Sequence, residues 1–143
     1  MNGKEDCETL LNAVLPFAQR MLAEFGEFYP YGGYMSADGK IVDVGAKNED
    51  NNHPKSTDLI YLLRSGMKEM AAKGECTATA IVFDVRVVLP GSEVKTNAIQ
   101  IWLDHVGGYS AEVFIPYHRD ESGGVVYASM FAQKGAKKVF GDL

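Results

Sequence analysis

Apolar residues recur at intervals of three and four along residues 10–25, which is the spacing of one face of an α-helix. Asp6 or Thr9 can cap the start of this helix, and Gly26 follows its last apolar residue. Pro16 lies inside the pattern, so it either kinks one helix or begins a second one. The predicted buried stripe consists of Leu10, Leu11, Val14, Leu15, Ala18, Met21, Leu22 and Phe25.

A second helical pattern covers residues 57–73. Thr57 is a suitable N-cap residue, Asp58 suits the positive end of the helix dipole, and Lys73-Gly74 is a favourable C-terminus. Its predicted buried stripe consists of Leu59, Leu62, Leu63, Met67, Met70 and Ala71. We expect both amphipathic helices to cover a sheet.

Between the helices the pattern changes to that of a β-hairpin. Residues Tyr31–Ser36 and Ile41–Ala46 flank the sequence Ala37-Asp38-Gly39-Lys40, in which Asp-Gly favours a tight turn with positive φ. Residues 47–56 are polar and without periodicity, which predicts a loop inside one domain.

The alternation of apolar and polar residues in Thr77–Leu89 predicts a half-buried strand. Asp84 and Arg86 lie on its polar face, where we expect them to form an exposed ion pair. A long strand with a polar outer face can also lie at the edge of the sheet and pair with a second copy, which would make the protein a homodimer.

Residues Asn97–Val106 and Tyr109–Tyr117 are predicted to form a second hairpin around Gly107-Gly108. A three-residue loop with a bulge sets the apolar residues of the two strands side by side, whereas a two-residue turn does not. The expected neighbours are Ile99, Ile101 and Leu103 on one strand and Ala111, Val113 and Ile115 on the other. A last strand is predicted at Val125–Gln133.

These elements predict an α+β fold, with a single antiparallel β-sheet of about five to six strands and two amphipathic helices packed on it. The order is α-β-β-α-β-β-β-β, and the 143 residues suit a single domain, 1–143. This order resembles the topology of profilin-like folds, including roadblock-type and PAS-type domains. The resemblance implies sensing, scaffolding or dimerisation, which are too varied to specify one function.

Several short stretches together are similar to a widespread family of small, uncharacterised bacterial proteins. They are Leu15-Pro16-Phe17-Ala18, Gly26-Glu27-Phe28-Tyr29-Pro30-Tyr31-Gly32, Asp38-Gly39, Ile115-Pro116-Tyr117 and Val139-Phe140-Gly141. The resemblance spans almost the whole chain and implies one complete domain. It implies no activity, cofactor or catalytic residue.

Composition and charge argue against several function classes. The net charge of −5 argues against nonspecific binding to nucleic acid, which requires a basic surface. No apolar run is long enough to span a membrane, and Met1–Asp6 lacks the features of a signal peptide. Cys7 and Cys76 are too few and too far apart in sequence for a disulfide framework, so we expect a cytoplasmic protein with free thiols.

Five aromatic residues, three glycines and a proline fall within residues 25–34. Aromatic side chains supply large contact areas at low entropic cost, so this segment is the first candidate for a recognition surface. Tyr29, Tyr31 and Tyr34 are the candidate ligand-binding residues. The alternative is that the rings, including Phe25 and Phe28, cover a sheet edge as part of the core.

Catalytic and metal-binding signals are weak. Asp104-His105 with Glu112 contains the parts of an acid–base pair, but adjacent strand residues point to opposite faces. His53, His105 and His118 lack the short spacings of metal ligands. The pairs Gly107-Gly108 and Gly123-Gly124 connect strands and are explained by turns, so neither a cofactor nor a metal is predicted.

The sequence therefore favours a non-catalytic binding or regulatory module, with a protein partner or self-association preferred over a small molecule. One alternative is a small enzyme with a site around His105 and Glu112, with Asp43 or a tyrosine contributing. A second is an acidic immunity- or inhibitor-type protein that uses residues 48–58 against a basic partner. A third is nucleic-acid binding through the basic cluster of Lys134, Lys137 and Lys138.

Overall fold

The computed structural model describes residues 2–45, 55–89 and 91–140. These residues form two helices and one antiparallel sheet of seven strands, which confirms the α+β class. The elements are α1 (Gly3–Phe25), β1 (Tyr31–Ser36), β2 (Ile41–Gly45), α2 (Ser56–Ala72), β3 (Cys76–Val88), β4 (Lys95–His105), β5 (Ser110–Arg119), β6 (Val125–Tyr127) and β7 (Phe131–Lys134).

The strand count is higher than the predicted five to six because the predicted last strand is divided. β6 and β7 both pair with β5, but the register slips by one residue between them. Ala128 lies at this slip, where its N–H donates to the carbonyl of Pro116. The predicted strand therefore exists as two segments along one partner.

The sheet has the strand order β2-β1-β3-β4-β5, with β6 and β7 alongside β5. β3 is its central strand, and the expectation that β3 is half-buried is wrong for its first part. Ala78, Ala80 and Val82 face α1, while Ile81 and Phe83 pack on the side of α2. The small alanines allow α1 to pack closely, so they occupy a buried face without producing a strong hydrophobic signal.

The two helices cover opposite faces of the sheet. The residues that form the core under α1 include Leu10, Val14, Ala18, Leu22, Val82, Ile99, Ile101, Val113 and Ile115. The smaller core under α2 contains Leu63, Met67, Ile81, Phe83 and Val139, with Trp102 packed against it. Burial of these apolar surfaces is the main contribution to the stability of the fold.

Gly32 and Gly33 allow both helices to approach β1. A Cβ atom at Gly32 would collide with the carbonyl oxygen of Ala80 and lie 2.8 Å from Cε of Met67 in α2. A Cβ atom at Gly33 would lie 2.8 Å from Cγ1 of Val14 in α1. The glycine pair therefore serves packing on both faces of the sheet.

Both helices begin before their predicted caps. The cap of α1 is Asn2, whose side chain accepts hydrogen bonds from the N–H groups of Lys4 and Glu5, so neither Asp6 nor Thr9 has this role. α1 runs unbroken through Pro16, and it ends at Gly26, whose φ of 77° is left-handed. α2 follows Lys55, which makes no side-chain capping bond, and the expected cap Thr57 lies inside the helix.

Both hairpins are confirmed. Ile99 pairs with Ile115, Ile101 with Val113, and Leu103 with Ala111, as the loop with a bulge predicts. The β1–β2 hairpin turns at Gly39, with φ 91°, and its described part ends at Gly45, so the expected last residue of β2 lies outside the described residues. Among the helices that the structure describes, none has the length and apolar content to cross a membrane.

Candidate functional site

A cleft opens where β1 and β2 stop while β3 continues. Tyr31, the first residue of β1, pairs with Val82 of β3 and with Gly45, the last residue of β2. β3 continues to Val88, so a notch is left beside its second half. The C-terminal part of α1 and the connecting residues 26–30 form the other wall of this notch.

The cleft has a volume of about 660 Å³. Its lining is mostly aromatic and apolar and consists of Phe17, Met21, Phe25, Glu27, Phe28, Tyr29, Pro30, Tyr31, Gly45, Ser56 and Asp84. Ligand-binding clefts are commonly of this size and combine apolar walls with a few polar groups. The predicted recognition segment therefore does border a cavity.

One wall of the cleft is a helix face that the sequence interpretation assigned to the core. Phe17, Met21 and Phe25 follow one another at four-residue spacing, which places them on one side of α1. Phe25 remains 68% exposed and Phe17 40% exposed. The expectation that Phe25 is buried is therefore wrong. Phe17 was not predicted as a site residue, and its four-residue spacing from Met21 is the one sequence feature that places it on this helix face.

Tyr31 forms the base of the cleft. Its hydroxyl accepts a hydrogen bond from the N–H of Ala18 and donates one to the carbonyl of Val14. Its ring packs edge-on against Phe17 and Phe28, with centroid distances of 4.8 and 5.9 Å. Burial raises the pKa of Tyr31 well above its usual value. Because the hydroxyl is fully used, only the ring can contribute to a ligand site.

The structure brings Tyr29 and Tyr31 together but separates them from Tyr34. Tyr29 lies in the cleft with 53% of its surface exposed. Tyr34 is three residues after Tyr31 in β1, so its side chain points to the opposite face of the sheet. Tyr34 pairs with Thr79 and Val42, and it does not line the cleft.

The ionisable groups in the lining of the cleft are the carboxyl groups of Glu27 and Asp84 and the phenols of Tyr29 and Tyr31. Asp84 accepts a hydrogen bond of 2.7 Å from the hydroxyl of Tyr117, and burial raises the pKa of its carboxyl group. The ion pair expected between Asp84 and Arg86 is not formed.

His105 is buried and forms a structural pair with the half-buried Asp6. Its Nε2 lies 2.9 Å from Oδ2 of Asp6, and its Nδ1 accepts a hydrogen bond from the N–H of Gly107. These contacts place the ring proton on Nε2 and leave neither nitrogen free. The pair joins the first turn of α1 to the end of β4.

The other members of the predicted acid–base group lie elsewhere. Asp104 points to the face of α2, where the hydroxyl of Ser110 donates to its carboxylate at 2.8 Å. Glu112 lies on that same face, and its carboxylate accepts from the side chain of Gln133. Since His105 is on the face of α1, it does not form a pair with Glu112, and the geometry offers no acid–base site there.

Cys7 follows Asp6 in α1 and is fully buried. Burial is the largest cause that raises its pKa to about 12, and the nearby carboxylates of Asp104 and Asp6 raise it further. A thiol in this state is a poor nucleophile at neutral pH. The residues that the structure describes contain no group of three potential metal ligands, and the candidate His53 lies outside them.

Of the basic cluster near the C-terminus, Lys138 is folded against the sheet, whereas Lys134 and Lys137 are exposed. Nζ of Lys138 lies 4.6 Å from the ring centroid of Trp102, and the carbonyl of Lys138 accepts a hydrogen bond from Nε of Arg64. Residues 46–54, which contain most of the acidic segment proposed to contact a basic partner, lie outside the described residues.

Comparison with models of known protein families finds no match to this chain. Searches of curated proteins and of solved structures also find no match. No relative therefore supplies a ligand, a partner or a reaction for this chain.

Proposed function

We propose that this protein is a non-catalytic binding or regulatory module whose ligand site is the cleft between α1 and β3. The observation that carries this proposal is the exposure of Phe25 and Tyr29 at 68% and 53%, beside a cavity of about 660 Å³. Large exposed rings around a concave surface are typical of binding sites.

The arrangement of the reactive groups supports binding rather than catalysis. His105 has both ring nitrogens engaged, and Cys7 is fully buried with a raised pKa. Neither of them lines the cleft. A small enzyme around His105 and Glu112 is therefore less well supported than a binding module, because catalysis requires groups that can reach one substrate.

Self-association is a further part of the proposal. β2 is the edge strand of the sheet that residues 2–45, 55–89 and 91–140 form, and Ile41 and Val42 on it are each 37% exposed. An exposed apolar edge can pair with the same strand of a second copy. Sedimentation velocity should then detect a dimer that the substitution Val42→Lys dissociates, whereas a monomeric wild-type protein would reject this part. We place the protein in the cytoplasm, since Cys7 and Cys76 are both free.

The ligand site is tested with 1-N-phenylnaphthylamine, an uncharged dye whose fluorescence rises in apolar surroundings. We expect saturable binding that Phe25→Ala and Tyr29→Ala each weaken at least about fivefold, as expected for the loss of one aromatic contact. Tyr61→Ala is the matched control, because Tyr61 is 69% exposed on α2 and does not line the cleft. Absence of binding, or equal loss in the control, would reject the proposed site.

A further inference from the structure

We propose that the cleft binds an extended peptide segment of a partner protein, which pairs with the free edge of β3 and directs a lysine or arginine side chain to Asp84. This inference rests on the proposed function, because it names the ligand class of the same cleft. Three features carry it: the unpaired edge, the sign of the charges in the cleft, and the position of the rings.

The first feature is the edge of β3 beyond Val82. β1 pairs with β3 from Cys76 to Val82 and no further, while β4 remains paired with β3 as far as Val88. Residues 83–88 therefore have no paired strand on the side of β1 among the residues that the structure describes. In an antiparallel sheet, every second residue directs its N–H and C=O groups to that side, where an added strand can bind them.

The even-numbered residues of β3 direct their backbone groups to this edge. The carbonyl of Thr77 bonds to Val106 after β4, whereas the carbonyl of Ala80 points to β1 at Gly32. By the same alternation, the N–H and C=O groups of Asp84 and Arg86 face the free edge, where an added strand can bind them.

The second feature is the charge of the cleft. Among the residues that the structure describes, the charged side chains that line it are the carboxylates of Glu27 and Asp84. The ion pairs within the described residues involve other carboxylates, namely Asp38, Glu69 and Asp6. A lysine or arginine that approaches Asp84 would therefore meet a partly desolvated carboxylate that forms no ion pair within the described residues, which favours a basic ligand over an acidic one.

The third feature is the location of the rings relative to this edge. Asp84 lies on the same face of the sheet as α1, because it alternates with Val82, which belongs to the core under α1. In an added strand, the residues two positions before and after the basic residue would face the same side. Phe25 and Tyr29 on that side would contact them, so the expected ligand has an aromatic or aliphatic residue two positions from its basic residue.

The test is a selection from a library of randomised linear octapeptides displayed on phage. We expect the enriched sequences to contain a lysine or arginine with an apolar residue two positions away. Synthetic versions of these peptides are then titrated with the wild-type protein, Asp84→Asn and Glu8→Gln. Glu8 is an exposed acidic residue of α1 that does not line the cleft, so its variant controls for net charge.

We expect Asp84→Asn to weaken peptide binding at least about fivefold, the equivalent of a partly exposed ion pair, and Glu8→Gln to leave binding unchanged. Every second N–H of an added strand faces β3. Methylation of that set of peptide nitrogens should abolish binding, because it removes the donors to β3, whereas methylation of the other set should not. An enriched pool without basic residues, no enrichment, or equal binding by Asp84→Asn would overturn the proposal.

Binding of the uncharged dye distinguishes a failure of the peptide inference from a failure of the proposed function. If the dye binds in a manner that depends on Phe25 and no basic peptide is selected, the cleft is a ligand site and only the peptide inference fails. If neither binds, the proposed function fails as well. A dimer that a selected peptide dissociates would assign the edge to a second copy of this chain and overturn the choice of a partner protein.

Discussion

The side chain of Tyr31 is hydrogen-bonded to the backbone N–H of Ala18 across the interface between β1 and α1, at a distance of 3.0 Å. The same hydroxyl donates to the carbonyl of Val14. These two groups are the donor and the acceptor of one helical turn, the turn that contains Pro16. The hydroxyl of Tyr31 bonds to both groups of this turn and so links the base of the cleft to the helix that forms its wall.

Tyr31→Phe removes this bridge without changing the packing of the ring. We expect a loss of about 1–2 kcal/mol in the free energy of unfolding, since the buried N–H of Ala18 and carbonyl of Val14 lose their shared partner. Urea denaturation measures the difference. Tyr61→Phe, at an exposed position of α2, is the control and should be neutral. An unchanged stability in Tyr31→Phe would mean that α1 closes its own hydrogen bond.

Gly32→Ala should destabilise the protein by about 3 kcal/mol or more, because the new methyl group has no space between Ala80 and Met67. Gly45→Ala is the matched control in the neighbouring strand, since a Cβ atom there meets nothing within 4 Å. The control should be neutral or slightly stabilising. Thermal and urea denaturation of both variants test this prediction, and equal stability of the two would contradict the close approach at Gly32.

Asp104 provides a prediction for pH dependence. Burial raises the pKa of its carboxyl group, against the lowering effect of the hydrogen bond from Ser110. A carboxyl group with a raised pKa in the folded state stabilises the fold when it is protonated. This contribution is complete below the pKa of the unfolded state, about 3.9, and is lost as the pH rises through the folded value.

Asp104→Asn should therefore gain stability relative to the wild type as the pH is raised from 4 to 8. Asparagine keeps an oxygen acceptor for the hydroxyl of Ser110 but carries no charge to bury. Urea denaturation at several pH values gives the difference in free energy of unfolding between the two proteins. The contributions of the other titrating groups are common to both proteins and cancel in this difference. A constant difference would mean that Asp104 has the same pKa in the folded and unfolded states, and a difference that moves the other way would mean that the fold stabilises the carboxylate.

Asp6→Ala should lower the free energy of unfolding by about 1–3 kcal/mol, because it leaves the buried Nε2–H of His105 without its acceptor. Glu5→Ala removes an exposed carboxylate from the same helical turn and should have little effect. Hydrogen exchange should locate the change in the first turns of α1 and at the end of β4. Equal effects of the two substitutions would assign the loss to the helix dipole instead of the pair.

Both cysteines should be unreactive in the native protein. Cys7 and Cys76 are 0% and 2% exposed, and burial is the main cause of the raised pKa of each thiol. We expect no rapid reaction with Ellman's reagent at pH 8, and reaction of both thiols after denaturation. Rapid modification of one thiol in the folded protein would instead identify an accessible nucleophile and reopen the question of catalysis.

Local sequence patterns were sufficient to predict the helices and the β4–β5 register. The three- and four-residue spacing from Leu10 onward predicts α1. Gly107-Gly108 predicts the turn between β4 and β5. Both patterns act through contacts between nearby residues. The patterns did not predict the true helix caps, because Asn2 and Lys55 lie outside the apolar stripes. Cap positions depend on where the chain enters a helix, which weak local preferences do not decide.

The candidate site was only partly predictable. The density of aromatic residues marked the segment that contains Tyr29 and Tyr31, but it did not show that Tyr34 faces the opposite side of the sheet. Phe17 and Asp84 were not recognised as its neighbours, since they come from distant parts of the chain. Their proximity results from the packing of α1 on the sheet and from the different lengths of β1 and β3.

Periodicity and turn residues act over short distances, so they are enough to predict the class of fold, the two helices, the hairpins and the segment richest in aromatic residues. The positions of the helices on opposite faces, the central place of β3 and the separation of His105 from Glu112 by the sheet follow instead from the packing of the folded chain. These features depend on which surfaces bury one another, a property of the whole chain that no local pattern contains.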